Sequence, residues 1–485
     1  MMPFLIPRRR RLQRHAERGV TMVLVALAMV AIIAMAALSI DVITLYLARE
    51  EAQRSADAAA LAAAKVLSLS GITGDPSNSS TSWSAVCGGS TSVATQAAQA
   101  VATQNAVGGR AGATINVTYS APGGSPVTDC TSLTGSTFRV NPLVTVQIQQ
   151  TSLPAFFSRV WGRTGSSVSA TATAEAFNPA NSSIAGLSTI TPVQPRCVKP
   201  WVVPNLDPRN PDGCTTDCGR FVDRATGAIN NRGISLSGVG TNGTVGENFW
   251  LESNCQHISP STCDPLRSSA PGKIQANLPK GTIIYRQPPP NLLFLPNQVG
   301  TPVTAVPSCS LGGDTFEQAI AGCDAPTNYQ CGVKNANVVD LGRNPDFSST
   351  TNGVSCLIHE GNPPSDAQPD GQDYLSPYAA PSAYPFQIRA GDSNPLGISD
   401  TVSNSSSIVS LPIYDYDDPG VDITPGGTTP VTFVGFLQVF INAVDQYGNV
   451  NVTVLNVTGC GNGTNATGAP VSGSSPVPVR LITPP

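Results

Sequence analysis

The chain has 485 residues, of which 27 are basic and 31 acidic, and its net charge is −4. No basic stripe interleaved with aromatic residues is present, so we do not expect a nucleic-acid partner. With 45 glycines and 42 prolines, the chain exceeds the average share of these residues, about 12%. This composition favours turn-rich β structure in an exported protein over a cytosolic enzyme, and the length allows two or three domains.

An uncharged apolar segment, 20–40, lies near the start of the chain. At about 1.5 Å per residue, a helix of this length spans roughly 30 Å, the thickness of the hydrocarbon core of a bilayer. Neither Gly nor Pro occurs between Gly19 and Gly71, and the residues after the segment are rich in helix formers. We therefore expect one helix from about Val20 to Leu69, with a transmembrane part at 20–40 and an amphipathic extension.

A cleaved signal peptide is the competing interpretation of this segment. The preceding basic residues fit such a peptide, and the tripeptide Ala34-Met35-Ala36 offers a cleavage site. However, the apolar run is longer than the usual stretch of about 7–15 residues and continues into a helix. We therefore prefer the uncut anchor.

Basic residues are distributed unevenly about the apolar segment. Residues 1–19 contain six arginines, whereas the twenty residues after Ile40 contain two. The positive-inside rule places the basic segment 1–19 in the cytoplasm and everything after Ile40 across the membrane. The arginines counted are Arg8, Arg9, Arg10, Arg11, Arg14 and Arg18 before the span, and Arg49 and Arg54 after it.

Residues 41–180 are expected to form the helix extension and a small α+β domain. After an Ala-rich helix at 93–107, period-two alternation predicts strands near 115–119, 144–148 and 168–176. Between the last two, Ser152 is a possible N-cap of a short helix. A long N-terminal helix with a small antiparallel sheet is a pilin-like arrangement.

Beyond residue 180 we expect a mainly β region rich in Cys, Gly and Pro, so the fold class is α+β. We divide it into a disulfide-rich β region at 181–360, a Pro-rich linker at 361–385 and a C-terminal β region at 386–485. The last contains an expected hairpin, in which the strand Val431 to Val444 turns through a five-residue loop into the strand Val450 to Val457.

All twelve cysteines lie beyond the apolar segment, which indicates disulfides in an oxidising compartment. Their connectivity stays open at this stage. A zinc site at Cys214, Cys218 and His257 is disfavoured, because no second pair follows at finger-like spacing. The disulfide candidates are Cys87, Cys130, Cys197, Cys214, Cys218, Cys255, Cys263, Cys309, Cys323, Cys331, Cys356 and Cys460.

No set of catalytic or cofactor-binding residues emerges from the sequence. The GxGxxG string at 238–243 is not followed by a helix opening, which dinucleotide binding requires, so we expect a turn there. His257 and His359 are the only histidines after the apolar segment, and no GxSxG serine accompanies them. We therefore predict no enzymatic activity and no cofactor.

The acidic run at 415–422 is the best metal candidate. Its carboxylates are the ligand type that calcium prefers, but Pro419 and the missing Glu at the end of the loop depart from the EF-hand pattern. We prefer a solvated acidic loop. The carboxylates concerned belong to Asp415, Asp417, Asp418 and Asp422.

Small residues form a stripe along the helix extension, namely Ala48, Ala52, Ser55, Ala56, Ala59 and Ala63. Such a stripe lets two helices approach closely, as in membrane dimers. Packing of the same stripe on the protein's own sheet is the alternative, and the sequence leaves both open. Asp41, just past the apolar segment, is expected to be solvated at the membrane interface.

The N-terminal segment resembles that of the TadG-like proteins of the tight-adherence (Tad or Flp) pilus-assembly system. The resemblance covers about residues 17–70, from the Glu17-Arg18-Gly19 sequence through Asp41 to the Ala-rich run that begins at Asp57. It implies a membrane-anchored structural component of a pilus-assembly or secretion apparatus. The residues it implicates in the membrane or in assembly are Gly19, Asp41, Asp57, Ala59 and Ala63.

The resemblance also implies a location and partners. The protein would cross the bacterial inner membrane once, with its C-terminal region periplasmic or extracellular, and would meet other pilus-assembly proteins or a second copy through its helix. Processed pseudopilins of this system carry Glu five residues after the cleavage glycine, where this chain has Leu24, so we do not expect processing. The alternative class is a membrane-anchored binding or adhesive surface protein outside the pilus machinery.

Overall fold

The computed structural model describes the greater part of the chain. The zinc alternative, the GxGxxG string and Asp417, Asp418 and Asp422 lie outside the described residues. These are 16–74, 83–133, 136–154, 157, 162, 165–180, 193–205, 220–230, 244–251, 283–285, 293–294, 315–322, 329, 331–334, 336–340, 347–360, 371–377, 386–394, 401–402, 404–415, 428–446, 448–460, 471–473 and 475–482.

The first element, α1, is one continuous helix, Ala16–Leu69. Its residues after Gly19 offer no break, because Gly and Pro are absent up to position 71. Ser70 closes the last turn by donating its backbone N–H to the Val66 carbonyl at 2.9 Å. Gly71 then adopts a φ of 76°, a left-handed conformation that ends helices and suits glycine. The predicted helix is confirmed.

The remaining elements are shorter. The helices are α2 (Ser84–Cys87), α3 (Val93–Gln104), α4 (Ser136–Val140), α5 (Thr315–Ala321) and α6 (Phe347–Ile358), with a 3-10 turn at Cys130–Ser132. The strands are β1 (Thr114–Ser120), β2 (Leu143–Leu153), β3 (Ser166–Ala176), β4 (Val193–Pro195), β5 (Trp201–Pro204), β6 (Asn248–Leu251), β7 (Ile283–Tyr285), β8 (Leu293–Phe294), β9 (Asn337–Asp340), β10 (Tyr374–Pro377), β11 (Phe386–Arg389), β12 (Thr401–Val402), β13 (Ile408–Tyr414), β14 (Thr428–Val431), β15 (Phe433–Val444), β16 (Val450–Gly459), β17 (Val471–Gly473) and β18 (Val479–Ile482).

The first sheet has four strands in the order β1-β2-β3-β18. Three of them are the strands that alternation predicted, but the fourth comes from the C-terminal part of the chain. β18 pairs antiparallel with β3, so that Arg480 lies opposite Glu175. The two side chains form an ion pair, and the Arg480 guanidinium lies 4.9 Å from the centroid of the Phe177 ring. The sheet within the proposed segment 41–180 thus includes a strand from outside that segment.

The largest sheet has nine strands in the order β14-β9-β8-β5-β13-β15-β16-β6-β7. Its centre is the hairpin of β15 and β16, which are antiparallel. The loop at 445–449 is closed by Asp445, whose carboxylate accepts the backbone N–H of Asn449 at 2.8 Å. The predicted hairpin is confirmed, and the α+β fold class with it. The sheet is mixed, because β5 and β13 run parallel, as do β6 and β7.

The main hydrophobic core lies on both faces of β15, as expected for a near-continuous apolar strand. On one face Leu437, Val439 and Ile441 belong to a cluster that includes Ile320 of α5 and Val354 of α6. The other face contributes to two clusters: one contains Tyr329, Cys331, Tyr414, Phe433, Phe436 and Cys460, and the other contains Leu69, Ile388, Phe440 and Leu455.

A smaller sheet, β10-β11-β12, corrects part of the predicted linker. Residues 374–377 pair antiparallel with β11, so this part of 361–385 is a strand. The physical reason is the preceding Asp373, a buried carboxylate that ties three chain segments together. It accepts hydrogen bonds from the Gly391 N–H at 3.0 Å, the Asn394 side-chain amide at 2.9 Å and the Ser405 hydroxyl at 2.5 Å.

The chain forms two compact units built from non-consecutive segments. The first, here the anchor unit, contains 1–56, 102–115 and 147–171, and the second, the main unit, contains 57–101, 116–146 and 172–485. In the main unit, the end of α1 is held by Asn456 of β16, whose side-chain amide donates to the Ser68 carbonyl at 2.9 Å. Ser68 in turn donates its hydroxyl proton to the Val477 carbonyl at 2.8 Å.

Candidate membrane anchor

The first part of α1 exposes nearly all of its large apolar side chains. Only 6% of the most apolar window of α1 is buried. Among the described residues, α1 is the one helix that is long enough and apolar enough to cross a membrane. The exposed side chains are those of Val20, Met22, Val23, Leu24, Val25, Leu27, Met29, Val30, Ile32, Ile33, Met35, Leu38 and Ile40. Such a surface is compatible with a single-pass membrane anchor.

One side of α1 becomes buried from Ala37 onward. Buried positions recur at helical spacing, with Thr44 and Leu45 half-buried among them. The small-residue stripe belongs to this side, so it faces the interior of the protein rather than a free surface. The buried residues are Ala37, Asp41, Ala48, Ala52, Ser55, Ala56, Ala59, Ala60, Ala63 and Ala64.

The burial of Ala59 and Ala63 decides between the two interpretations of the stripe. Both side chains have no exposed surface, so a second helix could reach them only if the fold opened. At the N-terminal end of the stripe, Ala48 lies at the point where α1 approaches Gly108 and Leu153. The small residues are therefore used in packing within the chain, which is the second of the two interpretations that the sequence leaves open.

Asp41 is buried, contrary to the expectation that it is solvated. Its carboxylate accepts the backbone N–H of Phe157, at 3.1 Å from one oxygen and 3.3 Å from the other. The loop after β2 returns to the helix, and it places a backbone donor where the sequence suggested water. The predicted N-cap is corrected, because Ser152 is the next-to-last residue of β2. Most of the short helix expected after it lies outside the described part.

Gly19 is the first of the implicated residues, and Asp57 lies near the other end of the implicated stretch. Gly19 is exposed in the first turns of α1, whereas Asp57 is half-buried and interacts within the fold. Along a straight helix they are about 57 Å apart at 1.5 Å per residue. The residues that the resemblance implicates therefore do not converge on one site.

A cavity of about 240 Å³ lies in the anchor unit beside α1. At its rim the Glu51 carboxylate accepts the backbone N–H of Gly108 at 2.7 Å. Gly108 has a φ of 60°, and a Cβ there would collide with Leu153, so glycine is needed for this close approach. Sequence inspection missed this contact, although the Gly108-Gly109 pair was a visible signal. The lining residues are Thr44, Leu45, Leu47, Ala48, Glu51, Gly108, Leu153 and Pro154.

Two disulfides with known partners stabilise the main unit. Cys87 pairs with Cys130, and Cys331 pairs with Cys460 across a sequence separation of 129 residues. Cys197 and Cys356 each take part in a disulfide as well. No cysteine among the described residues is free, and the other six candidates, Cys214, Cys218, Cys255, Cys263, Cys309 and Cys323, lie outside that part.

The metal candidate is represented in the described part by Asp415 alone. Asp415 is buried, and its carboxylate lies 3.7 Å from a guanidinium nitrogen of Arg224. Asp415 is therefore not part of a solvated acidic loop, and the Arg224 guanidinium balances its charge. Within the described ranges, no group of three or more His, Cys, Asp or Glu side chains is placed to hold a metal ion.

Several titratable residues of the main unit have shifted pKa values with structural causes, among them Lys199 and His359. Burial lowers the pKa of Lys199 to about 7, and its ammonium donates to the carbonyls of Ile320 at 2.6 Å and Gly322 at 2.7 Å. These carbonyls end α5, so Lys199 caps that helix. Burial also lowers the pKa of His359, and the negative charge of Asp373 opposes the shift.

The exposed apolar helix continues into an α+β fold in which strands predominate. This architecture fits the class of membrane-anchored proteins. Residues 19–66 match the family model described as "Putative Flp pilus-assembly TadE/G-like". The resemblance of the N-terminal segment is thereby confirmed, over about a tenth of the chain. The description of the matched family associates it with Flp pilus assembly. No curated protein and no solved structure matches the chain.

Proposed function

We propose that the protein is a membrane-anchored structural component of a Tad/Flp-type pilus-assembly or secretion apparatus. The observation that carries this proposal is that the family match, 19–66, coincides with α1. This stretch contains both the exposed apolar part and the buried Ala-rich part of the helix. A single helix thus supplies the attachment to lipid and a share of the core.

The proposed location is the bacterial inner membrane, crossed once, with residues 1–19 in the cytoplasm. The uneven distribution of arginines about the apolar segment supports this orientation. The disulfides Cys87–Cys130 and Cys331–Cys460 support an oxidising compartment for the main unit. The C-terminal region would then be periplasmic or extracellular.

The proposed partners are other components of the apparatus. Because Ala59 and Ala63 are buried, a partner helix within the membrane would meet the exposed residues of the segment 20–40 instead. Val30, which is 65% exposed, lies at the middle of that segment. A photo-crosslinker at Val30 can therefore react with a neighbouring helix in the membrane.

The test is site-specific photo-crosslinking from Val30 in cells, with the full chain. We expect capture of other Flp pilus components and loss of pili when the protein is removed. A matched control carries the same crosslinker at Val30 together with the substitution Leu27→Arg, which should hinder insertion and abolish capture. Normal pili without the protein would contradict the proposal, and glycan binding by the full chain in that case would indicate an adhesive surface protein.

A further inference from the structure

The exposed apolar surface of α1 continues past the end of the segment 20–40. Four large side chains on the next two turns are between 42% and 65% exposed, namely those of Val42, Ile43, Tyr46 and Leu47. The opposite side of these turns is covered, because Asp41 and Ala48 are buried. A one-sided apolar surface therefore lies directly beyond the hydrocarbon-spanning segment.

Phe157 brings a second chain segment to the same level of α1, on the side of Asp41. Its backbone N–H reaches the Asp41 carboxylate at 3.1 Å, which fixes Phe157 at the level of the same helical turns. Its side chain is 39% exposed. We call Val42, Ile43, Tyr46, Leu47 and Phe157 together the apolar collar.

We propose that the apolar collar is a lipid-contact site that lies in the interfacial region of the bilayer, among the headgroups and the adjoining ends of the acyl chains. The inference rests on the proposed function, since it takes α1 to be a membrane anchor. It adds that the anchor unit is seated in the membrane surface by a loop as well as by the helix.

The length of the apolar surface supports this position. From Val20 to Leu47 a straight helix extends about 42 Å at 1.5 Å per residue. The hydrocarbon core is about 30 Å thick, and the bilayer with its headgroup regions is about 40–45 Å thick. The segment 20–40 therefore matches the core, and the collar falls in the interfacial layer beyond it.

Asp41 is a charged residue near the hydrocarbon core, but its carboxylate is satisfied within the fold. Asp41 is the only charged residue between Gly19 and Arg49, and an acidic side chain at the centre of a spanning helix costs about 2.5–3.5 kcal/mol. Here the carboxylate is covered by the fold and receives the N–H of Phe157. A backbone donor thus replaces water at the charged residue that directly follows the segment 20–40.

Charged residues follow directly after the collar and mark its outer limit. Arg49, Glu50 and Arg54 are exposed, and Arg54 lies 3.6 Å from Glu50 in an i, i+4 pair. Tyr46 stands one turn before these charges. Aromatic side chains are enriched at this depth in membrane proteins, where an apolar ring meets a polar layer.

Lipid fits the collar better than a second copy of the chain. Close helix pairs in membranes use small residues at their contact, whereas the small residues of α1 are buried in its own fold. The collar consists of large apolar and aromatic side chains, and it is continuous with the exposed surface of the segment 20–40. Lipid can cover the collar and the part of the segment 20–40 beside it without a break.

The test measures water access at single positions of the full chain, reconstituted in phosphatidylcholine vesicles at a low ratio of protein to lipid. The variants Leu47→Cys and Phe157→Cys each carry a nitroxide label, and collision rates with oxygen and with a polar nickel complex are recorded. Leu27→Cys is the deep control and Glu50→Cys the solvent control. If Phe157→Cys fails to fold, Ile43→Cys takes its place.

We expect collision with the nickel complex to be several-fold slower at the collar positions than at Glu50, and faster than at Leu27. Rates equal to that at Glu50 overturn the proposal. Protection that disappears when the vesicles are diluted with more lipid also overturns it, because a second copy would then be the cover. If Leu27 itself is as accessible as Glu50, the membrane anchor is wrong, and the proposed function fails before the collar is reached.

Discussion

Two apolar runs of the chain have opposite environments. In the segment 20–40 the large side chains are exposed, whereas β15 is buried almost from end to end. Their apolar character alone does not distinguish them, but their lengths and flanking residues do. The first run is long enough to cross a bilayer and continues in helix-forming residues, while β15 has 12 residues and ends in a turn. Protein covers the hydrophobic surface of β15, whereas we propose that lipid covers that of the segment 20–40.

The same truncation in both runs should give the largest contrast. Leu437→Ala removes a fully buried side chain of β15, and we expect a loss of about 2–5 kcal/mol in the free energy of unfolding from the lost burial and the cavity left behind. The matched variant Leu27→Ala, at a position 62% exposed, should leave that free energy unchanged. Denaturant unfolding of the full chain in micelles, followed by tryptophan fluorescence, measures both. Equal losses at the two positions would abolish the contrast.

A charge in the exposed run should act on insertion and not on folding. Val30→Arg lies at the middle of the segment 20–40, where Arg costs about 2.5–3.5 kcal/mol of insertion free energy. We expect a smaller membrane-bound fraction after cell fractionation, with the Cys87–Cys130 and Cys331–Cys460 disulfides still formed.

The matched variant for this prediction is Thr103→Arg, at an exposed position of α3, which should partition as the unchanged protein does. If Val30→Arg is retained in membranes as fully as Thr103→Arg, lipid is not the environment of the segment.

Enlargement of an alanine sharpens the comparison within α1 itself. Ala59→Leu adds methylenes to a site with no exposed surface, and overpacking of this kind costs about 1–3 kcal/mol. Ala31→Leu, on the exposed part of the same helix, should be neutral. Thermal unfolding of the two variants in lipid nanodiscs distinguishes them. If Ala59→Leu does not lower the stability, the small-residue stripe is exposed and not packed within the chain.

The smallest effect is expected where α1 is exposed to water. Arg54 and Glu50 form an ion pair whose side chains are 81% and 67% exposed, and such pairs contribute about 0.3–0.5 kcal/mol. Arg54→Gln should therefore change the unfolding midpoint only slightly, and less at high salt. A loss of several kcal/mol would mean that this part of the helix is not solvated.

The elements predicted well were those with a long or regular local signal. The span of α1 follows from an uninterrupted run of helix formers, and the β15–β16 hairpin follows from two apolar runs around the loop 445–449. The match of 19–66 to the TadE/G-like family likewise depends on a local pattern.

What the sequence did not reveal depends on contacts between distant positions. β18 has four residues and no alternation, yet it completes the first sheet through pairing with β3. Asp41 looked solvated because its donor, the N–H of Phe157, is 116 residues away in the chain. The stripe that includes Ala59 and Ala63 could not be assigned, because small residues suit a membrane contact and an internal one equally.

The uncut anchor is the central claim, and the mass of the mature protein tests it most directly. Intact-mass measurement after extraction of membranes with alkaline carbonate should find the full chain in the membrane pellet, with Arg8 to Arg18 retained. Cleavage after Gly19 would give a mature chain that begins at Val20 and lacks the arginines that set the orientation. A soluble chain that begins at Ala37 would contradict the account, because the exposed apolar run would then be a signal peptide and not the membrane anchor.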